Sequence, residues 1–244
     1  MRLAIAGLRT LPEVKPGDDL AALIRRAARR ERQRLGRGAI VVVAQKIVSK
    51  AEGAVVDLRT VTPSRKARRW ARRWNRDPRL IELILRESRR IVRMARGVIL
   101  SETRHGFVAA HAGVDESNVW RGHATVLPRD PDSSARRLRR ALGCGAVIIS
   151  DTFGRPWRLG LVNVAIGVSG LDPLLDCRGV RDRAGRPLRT TIIALADELA
   201  AAAGLVMQKT AGVPVALISG LPWKAAGGSS ARALVRSPKA DLFR

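Results

Sequence analysis

Aromatic side chains are scarce in this chain. They make up 3% of the 244 residues, and tyrosine is absent. Proteins that bind single-stranded nucleic acids without sequence preference stack the bases on aromatic rings. The scarcity of rings argues against such a surface, and the sequence contains no helix-turn-helix, zinc-finger or aromatic RNA-recognition motif.

Cysteine and histidine are almost as rare. The chain has two cysteines, Cys144 and Cys177, and three histidines, His105, His111 and His123. The two cysteines stand in unlike contexts and make neither a disulfide framework nor a zinc site. The histidines are too few and too irregularly spaced for a zinc cluster. Oxygen ligands would therefore hold any metal, which favours Mg²⁺ or Mn²⁺.

Long apolar segments are also missing. No run approaches the roughly 18 residues of a membrane span, and the N-terminus does not resemble a secretory signal. Apolar residues make up 46% of the chain and charged residues 27%, the balance of a folded globular protein. We expect a cytoplasmic protein with no membrane contact, built as one large domain or two small ones.

Acidic residues are outnumbered: 21 Asp and Glu face 46 Lys and Arg, for a formal net charge of +25. The basic residues cluster at 25–37, 65–96 and 136–140, with apolar residues between them at roughly helical spacing. This pattern predicts amphipathic helices with arginine-rich solvated faces. A basic nucleic-acid-binding protein is the alternative interpretation.

The hydrophobic patterns predict a mixed α+β fold, because strands and helices do not alternate regularly. Buried strands are expected at 39–43 and 146–149, and shorter ones at 2–7, 98–100 and 215–218. Helices are expected at about 18–35, capped by Asp18 or Asp19, from 62 to the Asp77-Pro78 break, at 78–90, at 130–142, capped by Asp132 or Ser133, and at 190–203, ending at Gly204. The segment from Lys224 onward predicts a flexible tail.

Four polar segments lie next to predicted strands or between elements, at 45–50, 115–118, 150–158 and 207–213. In the third, Asp151 and Thr152 could hold a divalent cation, and Arg155 and Arg158 could meet an anionic substrate. The lysines of the first could grip a phosphate, although the glycine spacing of a Walker loop is absent. For the first three segments, an ordinary surface turn is the alternative interpretation.

Taken together, these segments resemble one family. The motifs His105-Gly106-Phe107, Ala112 to Asn118 and Ser150 to Arg158 look like those of the coenzyme F420-0:L-glutamate ligases, also called gamma-glutamyl ligases. Shorter matches are the segments 11–14, 48–53, 163–167 and 196–200. The similarity covers roughly residues 5–222.

The resemblance implies an activity. Such enzymes use GTP to activate the terminal carboxylate of the deazaflavin precursor F420-0 as an acyl phosphate, which the amine of L-glutamate attacks. A second glutamate can follow through a gamma linkage. The resemblance also implies two Mg²⁺ or Mn²⁺ sites, a monovalent cation such as K⁺, and a two-lobed, intertwined homodimer. The ligase unit would span residues 1–222, and 223–244 would form the tail.

The resemblance also assigns residues. Asp115 and Asp151 would bind one divalent ion, and Thr152 and Gln208 a second, with Lys50 as a further catalytic residue. Met207 and its neighbours depart from the usual glycine-rich loop, so either Gln208 or Lys209 occupies the ligand position. The residues implied to contact GTP are Leu11, Pro12, Glu13, Val14, Gln45, Lys46, Lys50, Asn118, Met207, Gln208, Lys209, Thr210, Ala211, Gly212 and Val213. A ligase for another carboxylate acceptor would keep the same scaffold.

Overall fold

The computed structural model describes residues 1–241. Within this range there are six α-helices: α1 (Leu20–Arg30), α2 (Gln45–Ala51), α3 (Arg65–Trp74), α4 (Pro78–Glu87), α5 (Pro131–Leu142) and α6 (Leu195–Met207). The strands are β1 (Ala4–Gly7), β2 (Ile40–Ala44), β3 (Val55–Asp57), β4 (Ser88–Ala95), β5 (Val98–Thr103), β6 (Val108–Ala110), β7 (His123–Thr125), β8 (Ala146–Arg155), β9 (Arg158–Ser169), β10 (Leu175–Asp176), β11 (Ile192–Ile193) and β12 (Val215–Ser219). The predicted α+β class is confirmed.

The largest sheet has the strand order β1-β12-β2-β8-β9. Strands β2 and β8 run parallel, in register from Ile40 opposite Ala146 to Ala44 opposite Ser150, and the other neighbours are antiparallel. Parallel strands end at the same edge of a sheet. The residues that follow Ala44 and Ser150 therefore emerge side by side.

The two parallel strands are buried on both faces. Val41, Val42 and Val43 in β2 have no exposed surface, and neither do Val147 and Ile148 in β8. Successive residues of a strand point to opposite faces, so a continuous buried run requires a cover on each side. Helices α5 and α6, which pack against β8 and β9, contribute to this cover.

A second, smaller cluster of buried residues lies outside the large sheet. Leu58, Ile81, Ile84 and Ile99 form its centre, and the half-buried Trp70 packs against it. Helices α3 and α4 contribute to it, together with the small sheets β3-β7 and β4-β5-β6. Residues 1–241 thus fold around two hydrophobic clusters.

Several predicted boundaries were wrong. Helix α1 has the expected Asp19 cap but ends at Arg30, since Arg32 has a positive φ of 53°. Helix α4 ends at Glu87, and the following arginine-rich segment is β4, paired with β5. Helix α5 is capped by Asp130, not by Asp132 or Ser133, because the Asp130 side chain accepts the Ser133 N–H.

Helix α6 differs most from its prediction. It begins at Leu195 because Ile192 and Ile193 pair with β10. It also continues past Gly204 to Met207. A Cβ at Gly204 would lie 3.1 Å from the side-chain nitrogen of Asn163, so this glycine makes room for a neighbour instead of ending the helix.

The segment 150–158 is a hairpin and not a turn after a short strand. Strand β8 continues from Ile149 to Arg155, and β9 returns from Arg158. Residues 150–154 pair with 161–165, which extends the ladder beyond the buried core. Asp151 and Thr152 therefore lie within a strand.

Part of the expected flexible tail packs against the core. The Ser230 hydroxyl donates to Asp132 at 2.6 Å, the Ala231 N–H donates to the same carboxylate at 3.0 Å, and Ala231 is fully buried. Residues 242–244 of the expected tail lie outside the described range. No helix within residues 1–241 is long and apolar enough to cross a membrane.

Candidate active site

The candidate site starts where β2 passes directly into α2. Residues 45–50 form a helix, not a surface turn, and Gln45, Ser49 and Lys50 are buried. The Ser49 hydroxyl donates to Gln45 Oε1 at 2.9 Å. This hydrogen bond lies on the buried face of α2. The side chain of Lys46 extends from the same helix to Asp115.

Lys46 joins α2 to the polar segment around Asp115. Its ammonium donates to Asp115 Oδ2 at 2.6 Å, to the Ser117 carbonyl at 2.7 Å and to the Ser117 hydroxyl at 2.5 Å. Burial alone would raise the pKa of Asp115, but the hydrogen bonds from Lys46 and the Ser117 N–H outweigh it, and the pKa falls below 3.8. Asp115 is therefore held as a carboxylate.

Asp151 lies close to this pair but in a less favourable environment. Burial raises its pKa from 3.8 to about 6, and the nearby carboxylate of Asp115 adds to the rise. The Thr152 N–H, the Lys209 ammonium and the Gln45 side chain oppose the rise. The fold thus brings two carboxylates together and compensates the charge of the second only in part.

Thr152 connects the site to the segment after α6. Its hydroxyl donates to Asn163 Oδ1 at 2.9 Å and accepts from the Lys209 ammonium, also at 2.9 Å. Gln208 has a positive φ of 42°, and its amide donates to the carbonyl of Leu205 at 3.5 Å. Of the two alternatives for the ligand position, Lys209 is the one that contacts Thr152 here.

The segment 11–14 meets α2 from the other side. Glu13 forms an ion pair with the buried Lys50, and Val14 is buried. Glu31 anchors the preceding residues, because one of its oxygens accepts the N–H groups of Arg9 and Thr10, each at 2.7 Å. The loop is thereby held between the ends of α1 and α2.

Other predicted residues lie at varying distances from this centre. Met207 ends α6 and is buried, as is Val213, whereas Thr210, Ala211 and Gly212 are exposed in the loop between them. Asn118 is exposed, with a positive φ of 54°. Arg155 and Arg158 lie at the exposed hairpin tip, and at about 3.3 Å per strand residue Arg155 is about 13 Å from Asp151. They are not gathered with the carboxylates.

The oxygen donors suit a hard cation. Across residues 1–241, no group of three or more His, Cys, Asp and Glu side chains is placed to hold a metal. Asp115, Asp151 and the Thr152 hydroxyl supply two carboxylates and one neutral oxygen, a set that fits Mg²⁺ or Mn²⁺ when phosphate and water complete the shell. The charge of Asp151, which its neighbours compensate only in part, also favours a cation at this point.

Three further residues shape the site and were not predicted to do so: Glu31, Asn163 and Asp197, whose carboxylate accepts the Ala165 N–H of β9 at 2.8 Å. Asn163 and Asp197 stood in motifs that carried the family resemblance, but nothing in their local sequence indicated a role. Glu31 lies at the end of an arginine-rich helix, where it resembles an ordinary surface residue.

A sheet edge that combines a carboxylate pair, a hydroxyl and several lysines defines the chain as a candidate metal- and phosphate-binding enzyme. Comparison with known proteins gives the particular family. The model of the F420-0:gamma-glutamyl ligase family matches residues 7–220, and the chain belongs to that family. The identification made from the motifs is confirmed.

Relatives cover the whole chain. It is 50% identical to the coenzyme F420:L-glutamate ligase of Methanothermobacter thermautotrophicus over 253 aligned positions, which include all of both chains. It is 49% identical to that of Methanopyrus kandleri, over 95% of this chain and 94% of the relative. For the protein of Methanocaldococcus jannaschii the identity is 43%, over 85% of each chain.

Proposed function

We propose that this protein is a GTP-dependent ligase that joins L-glutamate to the carboxylate of coenzyme F420-0, first through an amide and then through a gamma linkage. Family membership and the names of the full-length relatives support glutamate ligation to F420-0. The observation that carries the mechanism is the meeting of Asp115, Asp151, Lys46 and Lys209 at one edge of the sheet.

In this proposal Asp115 and Asp151 hold one Mg²⁺ or Mn²⁺ ion, and Thr152 helps to hold a second. The ions supply electrostatic stabilisation of the phosphates. Gln208 is the proposed second ligand beside Thr152, since an ammonium at Lys209 cannot bind a cation. K⁺ as an additional ion rests on the family resemblance alone.

Two lysines contact the proposed metal ligands in this structure. The Lys46 ammonium bonds to Asp115 and the Lys209 ammonium bonds to Thr152. With these oxygens engaged as ligands of a divalent ion, the two ammonium groups would be available to bind phosphate oxygens. Lys46 and Lys209 would thus bind the transferring phosphoryl group, where positive charge stabilises the transition state.

The proposed reaction has two steps. An acceptor carboxylate oxygen attacks the γ-phosphorus of GTP, the bond to the β-phosphate oxygen breaks, and GDP leaves. The amine of glutamate then attacks the acyl phosphate, forms the amide, loses a proton and releases phosphate. The protein holds the reactants in line. The loop 11–14, anchored by Glu31 and Lys50, is the proposed wall of the nucleotide site, with Asn118 and the loop 207–213 around it.

A homodimer is part of the proposal. The hairpin between β8 and β9 exposes Trp157, Leu159 and Leu161, which are 81%, 97% and 66% accessible. Neighbouring exposed apolar side chains at the tip of a long hairpin are typical of a protein interface. A Leu159→Lys variant should therefore shift the molar mass measured by light scattering from dimer to monomer. A wild-type protein that is monomeric at micromolar concentration would refute the dimer.

One assay tests the activity. The protein is incubated with F420-0, L-glutamate, Mn²⁺ and either GTP or ATP, and the products are analysed by mass spectrometry. We expect mono- and diglutamyl adducts with GTP. Absence of adducts with F420-0, but turnover of GTP with a different carboxylate, would support the same-scaffold ligase instead. Salt-sensitive RNA or DNA binding without nucleotide turnover would support the nucleic-acid alternative.

A further inference from the structure

A β-bulge in β9 lies one to two residue pairs from the candidate metal ligands Asp151 and Thr152. Ile149 pairs with Gly167, but the next residue, Ser150, pairs with Ala165. Ile166 is therefore an extra residue on β9. Bulges of this kind re-aim the side chains that follow them and are common next to active sites.

The bulge decides which residue faces Thr152. With the bulge, Thr152 pairs with Asn163. Without it, the register set by Ile149 and Gly167 would place Val164 opposite Thr152, and Asn163 would lie opposite Phe153. Because a shift of one residue moves a strand's side chains to the other face of the sheet, the contact between Asn163 and Thr152 requires the bulge.

The contact has a defined polarity. The Thr152 hydroxyl donates its hydrogen to Asn163 Oδ1 at 2.9 Å, so the lone pairs of Thr152 Oγ1 remain available. The Lys209 ammonium donates to this oxygen. Asn163 thus turns the hydroxyl oxygen toward positive charge.

Asp197 on α6 anchors the bulge. Its Oδ1 accepts the Ala165 N–H at 2.8 Å. The neighbouring Ala196 and Leu199 are buried, which fixes this turn of the helix. Gly204, seven residues later and so on the same face of α6, gives the space that Asn163 needs.

We infer that Asp197 and Asn163 are positioning residues for the metal-binding hydroxyl of Thr152. Asp197 holds the bulge of β9, the bulge sets Asn163 opposite Thr152, and Asn163 orients the hydroxyl so that its oxygen faces a cation. The inference rests on the proposed function, because it takes Thr152 as a metal ligand. Neither residue touches substrate in this scheme.

The test measures Mn²⁺ binding without turnover, by titration of the folded protein in the presence of GDP. Loss of a group that orients a metal ligand typically weakens metal binding about 10- to 100-fold. We expect losses of this size for Asn163→Ala and for Asp197→Leu. Asp197→Asn keeps an acceptor oxygen for the Ala165 N–H and should bind Mn²⁺ nearly as well as wild type.

The matched control is Glu198→Leu, which removes an exposed carboxylate from the same helical turn. It should leave Mn²⁺ affinity unchanged. Wild-type affinity in Asp197→Leu would overturn the inference, and so would equal losses in Asp197→Asn and Asp197→Leu. If Asp197→Leu does not fold, Asn163→Ala decides, because it leaves the anchor of the bulge intact.

The two proposals can fail separately. Lack of adducts from F420-0 together with the expected Mn²⁺ losses would refute the proposed activity and keep the positioning role. If the wild type forms adducts but Asn163→Ala binds Mn²⁺ as tightly as the wild type, the proposed activity is supported and the positioning role is refuted.

Discussion

Asp151→Asn should stabilise the metal-free protein while it abolishes ligase activity. The Asp151 carboxylate is disfavoured in the empty site, since burial and the neighbouring Asp115 raise its pKa to about 6. An asparagine keeps an oxygen that can accept the Thr152 N–H, the role that Asp151 Oδ1 has at 2.8 Å. The variant therefore removes an unfavourable charge and retains its main hydrogen bond.

The size of the effect follows from the pKa. One pKa unit corresponds to about 1.4 kcal/mol, so a rise from 3.8 to about 6 corresponds to a penalty of about 3 kcal/mol when the group is fully ionised. Burial of the asparagine amide offsets part of this gain, and we expect a net stabilisation of about 1–3 kcal/mol at pH 7.5. In a chain of this length that is a rise in Tm of several degrees.

The raised pKa of Asp151 determines how the stability of the wild type changes with pH. In the folded wild type Asp151 binds its proton more tightly than in the unfolded chain, so the folded state is favoured by acid. The penalty is absent below about pH 4, grows between about pH 4 and 6, and is constant above that range. The gap between variant and wild type should grow over the same interval.

Urea unfolding in the presence of EDTA at several pH values measures the difference in unfolding free energy between Asp151→Asn and wild type. The control is Glu116→Gln, which removes an exposed carboxylate near Asp115 and should leave the unfolding free energy unchanged. Added Mn²⁺ should stabilise the wild type more than the variant. Activity should fall about 100-fold or more. A variant less stable than wild type at pH 7.5, or a gap that does not change with pH, would refute the reasoning.

Two further predictions concern packing and charge. Gly167→Ala should lower the free energy of unfolding by about 1–3 kcal/mol in a denaturant titration, because the new Cβ would lie 2.5 Å from backbone atoms of Pro131, whereas Gly228→Ala, which enters open space, should have little effect. Equal stability of the two variants would contradict this account. Lys46→Met should raise the pKa of Asp115, which NMR titration measures, because the variant lacks the ammonium that bonds to this carboxylate. It should also reduce kcat about 100-fold. An unchanged pKa would show that the contact with Lys46 does not lower the pKa of Asp115.

Local patterns predicted the elements whose determinants are local. The valine run of β2 and the apolar start of β8 have a buried-strand composition, and the Asp19 cap lies next to the helix that it starts. Elements set by distant contacts were missed. Gly204 predicted a helix end, but in the structure it leaves room for the side chain of Asn163. The arginine-rich segment of β4 was predicted to be helical, because its own sequence does not show that it pairs with β5.

The residues of the candidate site also fall into those that the sequence predicted and those that it did not. Asp115, Asp151, Thr152 and the lysines could be named because their residue types and family motifs indicate metal and phosphate chemistry. Asn163 carries no such signal. Its role depends on the strand that it pairs with and on a single extra residue in β9, and neither can be read from composition or spacing.

The groups that meet in the site are far apart in sequence, which links its chemistry to the register of the sheet. Lys46 and Asp115 are 69 residues apart, and Thr152 and Lys209 are 57 apart. The parallel pairing of β2 with β8 places α2 beside Asp151, and the bulge in β9 places Asn163 beside Thr152. A slip of one residue in the β8–β9 ladder would turn Asn163 away from Thr152. Substitutions that remove the bulge should therefore weaken metal binding about 10- to 100-fold, the same loss as expected for Asn163→Ala.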